Sequence, residues 1–201
     1  MDKFQAQSKS KKLHQIVQTS ERLFRRHGIK RITVEEICRE AHVSKMTFYK
    51  YFKNKIELVK YIIKSWFDNG ITRTDAINAM DIPVTEKLRL MIEWKMGFIS
   101  DMSPEFINEY VQFDSDQKEF MNMNVQKSFK RFLEYIYGWQ KNGEVRPEIR
   151  PELILAFLDK VLELFKDDRL RNLYSDHIEF THELHSFFFY GIVSGRNTER
   201  K

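Results

Sequence analysis

Residues 32–55 read ITVEEICREAHVSKMTFYKYFKNK. Thr33-Val-Glu-Glu36 has the form of a capping box, with Thr33 at the N-cap and Glu36 three residues on. Val34, Ile37, Cys38 and Ala41 then share one helical face. His42 and Val43 make a turn, and Ser44 caps a second short helix ending near Tyr51. Two short helices joined by a tight turn have the size of a helix-turn-helix. The second helix is crowded with Lys, Thr and Tyr, residue types that suit a helix laid in a DNA groove. Lys45 and Thr47 are placed to reach base edges, and Met46 to meet a thymine methyl. Tyr49 and Lys50 suit phosphates, and Lys55 opens the next helix, where free N–H groups also favour an anion. Thr33 and Ser44 serve as caps, with or without a phosphate contact. Phe48 and Phe52 read as core.

Working outward, charge divides the chain. Residues 1–60 hold 15 Lys/Arg against 6 Asp/Glu, a net +9, while residues 61–201 hold 19 against 23, a net −4. A polyanion would be drawn to the first part alone. Only seven Gly and four Pro occur in 201 residues. Apolar residues recur at three and four, so the chain reads as all-α. Residues 1–11 read as a basic, mobile segment. A first helix carries Leu13, Ile16, Val17, Ser20 and Phe24 on one face and stops near Gly28. A fourth, capped by Asn54, buries Leu58, Val59, Ile62, Ile63 and Trp66. The polar stretch from Asn69-Gly70 to Pro83 reads as a boundary. Further helices are expected at about 85–100, after the Ser103-Pro104 cap, from about Ser115 to Asn142-Gly143, and at about 151–166 and 177–194.

The segment IVQTSERLFRRHGIKRITVEEICREAHVSKMTFYKYFKNKIELV, residues 16–59, resembles the N-terminal DNA-binding domain of the TetR/AcrR transcriptional regulators. VSKMTFYKYFKNKIEL carries the most specific part of the likeness. The resemblance implies that Lys45, Met46 and Thr47 face bases and that Thr33, Ser44, Tyr49, Lys50, Tyr51 and Lys55 mainly grip phosphates. It implies a homodimer on double-stranded DNA and a C-terminal domain that binds a small effector. Two residues depart from the family pattern. His42 stands where the family usually has glycine in the turn, which predicts strain or an altered turn. Met46 stands where the family often has a small residue, which predicts a base preference of its own. Later in the chain, WQKNGEVRPEIRPELILAF and FFFYGIVSGR resemble, more weakly, parts of the family's second domain.

The expected architecture is therefore an N-terminal three-helix helix-turn-helix domain, residues 1–55, and a larger C-terminal helical domain, residues 56–201, for effector binding and dimerisation. Helix 56–69 links them. Phe157, Val161 and Phe165 on one late helix, and Phe187, Phe188 and Tyr190 on another, exceed what single amphipathic stripes need. They predict a four-helix dimer bundle. Trp94, Phe98, Phe106, Tyr110, Phe113 and Phe120 are candidates for an effector cavity, although core packing is the default for each. A cavity built from them suits an apolar or aromatic ligand.

His182 and His185 have the i, i+3 spacing of metal ligands, but no third ligand is evident, so no metal and no cofactor are expected. No nucleophile–base pattern, glycine-rich phosphate loop or HExxH occurs, so no enzyme is expected. The single cysteine, Cys38, excludes an internal disulfide and fits a reducing cytoplasm. Neither a secretory signal nor a membrane span is indicated. The rival functional class is a protein-interaction adaptor with a helix-turn-helix-like core.

Overall fold

The computed structural model of the chain describes residues 3–164 and 167–192. It is all-α, with no β-strand among the described residues. The helices are α1 (Lys3–His27), α2 (Val34–Glu40), α3 (Lys45–Tyr51), α4 (Lys55–Asn78), α5 (Val84–Ser100), α6 (Pro104–Asp116), α7 (Lys118–Lys141), α8 (Pro151–Leu164), α9 (Asp168–Arg171) and α10 (His177–Ile192).

Side-chain caps mark four of the helix starts. Thr33 Oγ1 accepts from Glu36 N at 3.1 Å and Ser44 Oγ from Thr47 N at 3.1 Å. Asn54 Oδ1 accepts from Glu57 N at 3.0 Å, and Ser103 Oγ from Phe106 N at 3.2 Å with Pro104 behind it. Each satisfies one of the N–H groups that a helix start leaves unpaired.

Two expectations change. The basic segment expected to be mobile is helical from Lys3 onward; Met1 and Asp2 lie outside the described residues. The polar stretch after Asn69 does not interrupt α4, which continues through Gly70 to Asn78. Gly70 lies against an indole: a Cβ there would stand 3.4 Å from Trp94 Cη2. A single glycine is tolerated within a helix at a cost of about 1 kcal/mol relative to alanine.

The chain forms two compact units. The first comprises residues 1–68 and 101–122, the second 69–100 and 123–201. The polar stretch thus begins where one unit passes to the other, inside a continuous helix. The first unit takes in α6, whose sequence lies far from the helix-turn-helix. Its core joins Ile16, Phe24, Ile32, Ile37, Phe48 and Phe52 to Leu58, Ile62 and Ile63 of α4 and to Phe106 and Phe113 of α6.

The second unit has its own core, including Ile77, Leu88, Ile92, Ile136, Trp139 and Ile154. Polar ties join α4 to α7 within it. Trp139 Nε1 donates to Asn78 Oδ1 at 3.0 Å, Arg131 Nε to Asp75 Oδ1 at 2.6 Å, and the Tyr135 hydroxyl to the same carboxylate.

The turn between α2 and α3 retains regular geometry despite its residue. His42 has φ 53°, the left-handed region. Its N–H bonds to Arg39 O at 3.2 Å, and Val43 N–H to Cys38 O at 2.9 Å. This pair of bonds is a Schellman motif with histidine in the place glycine normally fills. The departure at His42 therefore leaves the turn's bonding intact. His42→Val should cost about 1–2 kcal/mol, because a β-branched residue tolerates this region poorly, while His42→Gly should leave the turn in place. Urea denaturation of both variants checks this, and equal stability would refute it.

Candidate nucleic-acid interface

Helix α3 has two opposed faces. Phe48 is fully buried and Phe52 nearly so, which fixes the helix on the core. Lys45, Met46, Tyr49 and Lys50 face outward, with Met46 72 % and Tyr49 53 % exposed. Large exposed apolar side chains cost hydration free energy unless something covers them, and here they stand beside lysines on one face. Thr47 is half-buried; its hydroxyl lies 2.9 Å from that of Ser44. Thr33 and Ser44 are exposed at the starts of α2 and α3. Tyr51 is half-buried against the core.

Eight of the nine residues expected at DNA thus lie on α3 or at the caps of α2 and α3. The ninth, Lys55, is differently engaged. Its ammonium donates to Ile29 O at 2.8 Å, Lys30 O at 3.2 Å and Ile32 O at 2.8 Å. An ammonium has three donors, so a phosphate would have to displace a loop carbonyl. Burial holds the Lys55 pKa below its ordinary value, and the Glu109 carboxylate acts against that shift.

Glu35 is a participant the sequence did not single out. Its carboxylate accepts a short hydrogen bond from the Lys45 ammonium. That bond holds the Glu35 carboxyl below its ordinary pKa and raises the Lys45 ammonium. Both groups are exposed, so the pair adds little stability and is weakened by salt. Its consequence is positional: it orients Lys45 from α2. Cys38 is buried in α2, and burial pushes its thiol pKa up.

The six candidate effector residues are divided between the two units. Phe106 and Phe113 are buried in the first unit's core, with Tyr110 and Phe120 packed against it. The Phe106 ring meets Trp66 edge-on at 5.7 Å between centroids. Trp94 and Phe98 belong to the second unit, where their rings stack at 5.9 Å. An open cleft in that unit is lined by other residues: Glu93 and Met96 from α5, and Ile178, Glu179, His182 and Glu183 from α10, beside Asp176.

Of the candidate dimer residues, Phe157 is 58 %, Phe187 84 % and Tyr190 54 % exposed. Phe165 and the side chains of Val161 and Phe188 lie outside the described residues. Among the described residues no group of three or more His, Cys, Asp or Glu could hold a metal ion. No described helix is long and apolar enough to cross a membrane.

A buried-backed helix with a Lys/Met/Tyr face, held by a Schellman turn behind a capped helix, makes residues 33–51 a helix-turn-helix. Residues 16–62 match the model of the bacterial regulatory proteins, tetR family. A helix-turn-helix-type transcriptional regulator from Haemophilus influenzae is 27 % identical over 110 residues. The match covers 54 % of this chain and 58 % of that relative, so the chain spans little more than half its length. The fold is shared more widely. SmeT, the repressor of the Stenotrophomonas maltophilia multidrug efflux pump SmeDEF, aligns over 92 % of this chain and 91 % of its own, with TM-score 0.69 and 17 % identity. FadR from Bacillus subtilis, solved with stearoyl-CoA, aligns over 89 % and 98 %, with TM-score 0.64 and 15 % identity.

Proposed function

We propose that the protein is a ligand-responsive transcriptional regulator, a repressor that leaves a palindromic operator when a small effector binds. The observation that carries the DNA part is the outward face of α3, which sets Lys45, Met46, Tyr49 and Lys50 together at the basic end of the chain. Lys45, Met46 and Thr47 read base edges, while Thr33, Ser44, Tyr49, Lys50 and Tyr51 hold the backbone. Residues 1–55 read DNA, and residues 56–201 dimerise and bind the effector. Two copies present their recognition helices about one DNA turn (~34 Å) apart to a near-palindrome.

The exposed rings of α8 and α10 support the homodimer. An apolar or aromatic effector is favoured by the aromatic content of α5–α7, and the acyl ligand of FadR is compatible with that class. Such an effector releases DNA only by preferring the non-binding form; a preference of roughly 10⁴-fold moves nearly the whole population. The site of action is the cytoplasm.

Selection of bound duplexes from a random pool, with and without a metabolite extract, tests symmetry and response together. Enrichment of a near-palindrome that the extract abolishes is the expected result. Recovery of no sequence, or affinity indifferent to salt, would favour a protein-interaction adaptor instead. On the selected site, Lys50→Ala should weaken all sequences alike and lower the salt slope by about 0.9. Thr47→Ala should instead change which base is preferred at one position, by about 1–3 kcal/mol of discrimination. Unchanged binding in both variants would refute the assignment of α3.

A further inference from the structure

The loop that leads into the helix-turn-helix is held by two charged side chains that come from elsewhere in the first unit. α1 ends at His27, and the following Gly28 has φ 79° and an N–H that bonds to Phe24 O at 2.9 Å. The next two N–H groups, of Ile29 and Lys30, both bond to Glu109 Oε2 of α6, the second at 2.8 Å. The carbonyls of Ile29, Lys30 and Ile32 all accept from Lys55 of α4. A carboxylate thus takes the loop's donors and an ammonium its acceptors, which satisfies groups that are expensive to leave unpaired.

The approach of Glu109 is close: a Cβ on Gly28 would stand 2.9 Å from its Oε2. The start of α6 is tied to the same place, since Ser103 N donates to Arg25 O at 2.8 Å. Phe106 and Phe113 anchor α6 in the core on either side of Glu109. Ile29 and Ile32 are buried, so the loop cannot move without disturbing that core.

We propose that Glu109 is a positioning residue for DNA reading: with Lys55 it clamps the backbone of residues 28–32 and sets where α2, and through the His42 turn α3, begins. This rests on the DNA-binding reading above. Lys55 acts through the loop in this scheme and does not itself hold a phosphate. Replacing Glu109 by a neutral residue makes the first unit more positive, so electrostatics alone would tighten DNA binding. Loss of positioning weakens it.

The test uses the full chain and a fluorescein-labelled duplex carrying the site selected by wild type. Dissociation constants are measured across a salt series, at a temperature where melting curves show each variant folded. Glu109→Ala should weaken binding about tenfold. Glu109→Gln keeps one acceptor oxygen in a weaker, neutral bond and should lose about threefold. Neither should change the salt slope. Lys55→Met should also weaken binding with the slope unchanged.

A folded Glu109→Ala chain that binds as tightly as wild type, or more tightly, overturns the proposal. A fall of about 0.9 in slope for Lys55→Met would make Lys55 a phosphate contact and remove it from the clamp. A wild-type chain that retains no DNA sinks the functional reading and the clamp with it. Wild-type binding beside unaltered variants sinks the clamp alone.

Discussion

Phe48→Ala is expected to cost about 3–5 kcal/mol and to abolish DNA binding by unfolding the reading unit. The ring is fully buried on the inner side of α3. It stands 5.7 Å from the Phe52 ring and packs in the core that joins α1, α2 and α4. A helix of seven residues has little stability of its own, since helices this short are marginal in water. Packing of Phe48 and Phe52 is therefore what holds α3, and removing one ring leaves a cavity as well as losing transfer free energy. Against the 5–15 kcal/mol typical of a domain, the loss is large. The neighbouring Tyr49 supplies the control. It is exposed, so Tyr49→Ala should stay within about 0.5 kcal/mol of wild type while still weakening DNA binding. Urea denaturation followed by circular dichroism measures both. Equal effects of the two substitutions would show that α3 is not seated as described.

This contrast marks how far the sequence could be read. The caps at Thr33, Ser44, Asn54 and Ser103 were legible because each is a bond over three residues. The turn at His42 was legible because its position between two apolar faces is local, even though the residue is unusual there. The two faces of α3 followed from helical spacing alone. Contacts across long separations were not legible. Glu109 bonds to Ile29 across 80 positions, and nothing in its neighbours announces it.

Lys55 illustrates the same limit from the other side. A lysine at a helix start suits a phosphate equally well as three loop carbonyls, and only the folded backbone decides between them. The aromatic residues of α5–α7 are divided between the two units for a related reason. Residue type marks Phe106, Phe113 and Trp94 as apolar but not which of two cores each one fills. The approach of an α5 indole to Gly70 in α4 is again invisible in the local pattern.

Phe157→Glu combined with Phe187→Glu is expected to dissociate the proposed dimer and to weaken binding to a two-half-site operator by about 10²–10⁴-fold. Among the described residues these rings stand exposed: Phe187 is 84 % and Phe157 58 % exposed, with Leu153, Leu164 and Tyr190 also outward on the same two helices. Burying a phenylalanine is worth about 1.5–3 kcal/mol, so a face of this kind gains most by meeting its own copy. In an interface with twofold symmetry every substitution counts twice, and a carboxylate enclosed there without a partner adds a desolvation cost.

The monomer should remain folded, because neither ring belongs to a buried core among the described residues, and its affinity for a single half-site should be unchanged. That combination separates loss of dimer from loss of reading. Sedimentation velocity at micromolar concentration reports the state of assembly, and binding to full and half operators reports the linkage. A double variant that still sediments as a dimer would place the interface elsewhere. One that becomes monomeric yet binds the full operator as wild type does would mean that the two reading units act independently, and that spacing between recognition helices cannot be what an effector controls.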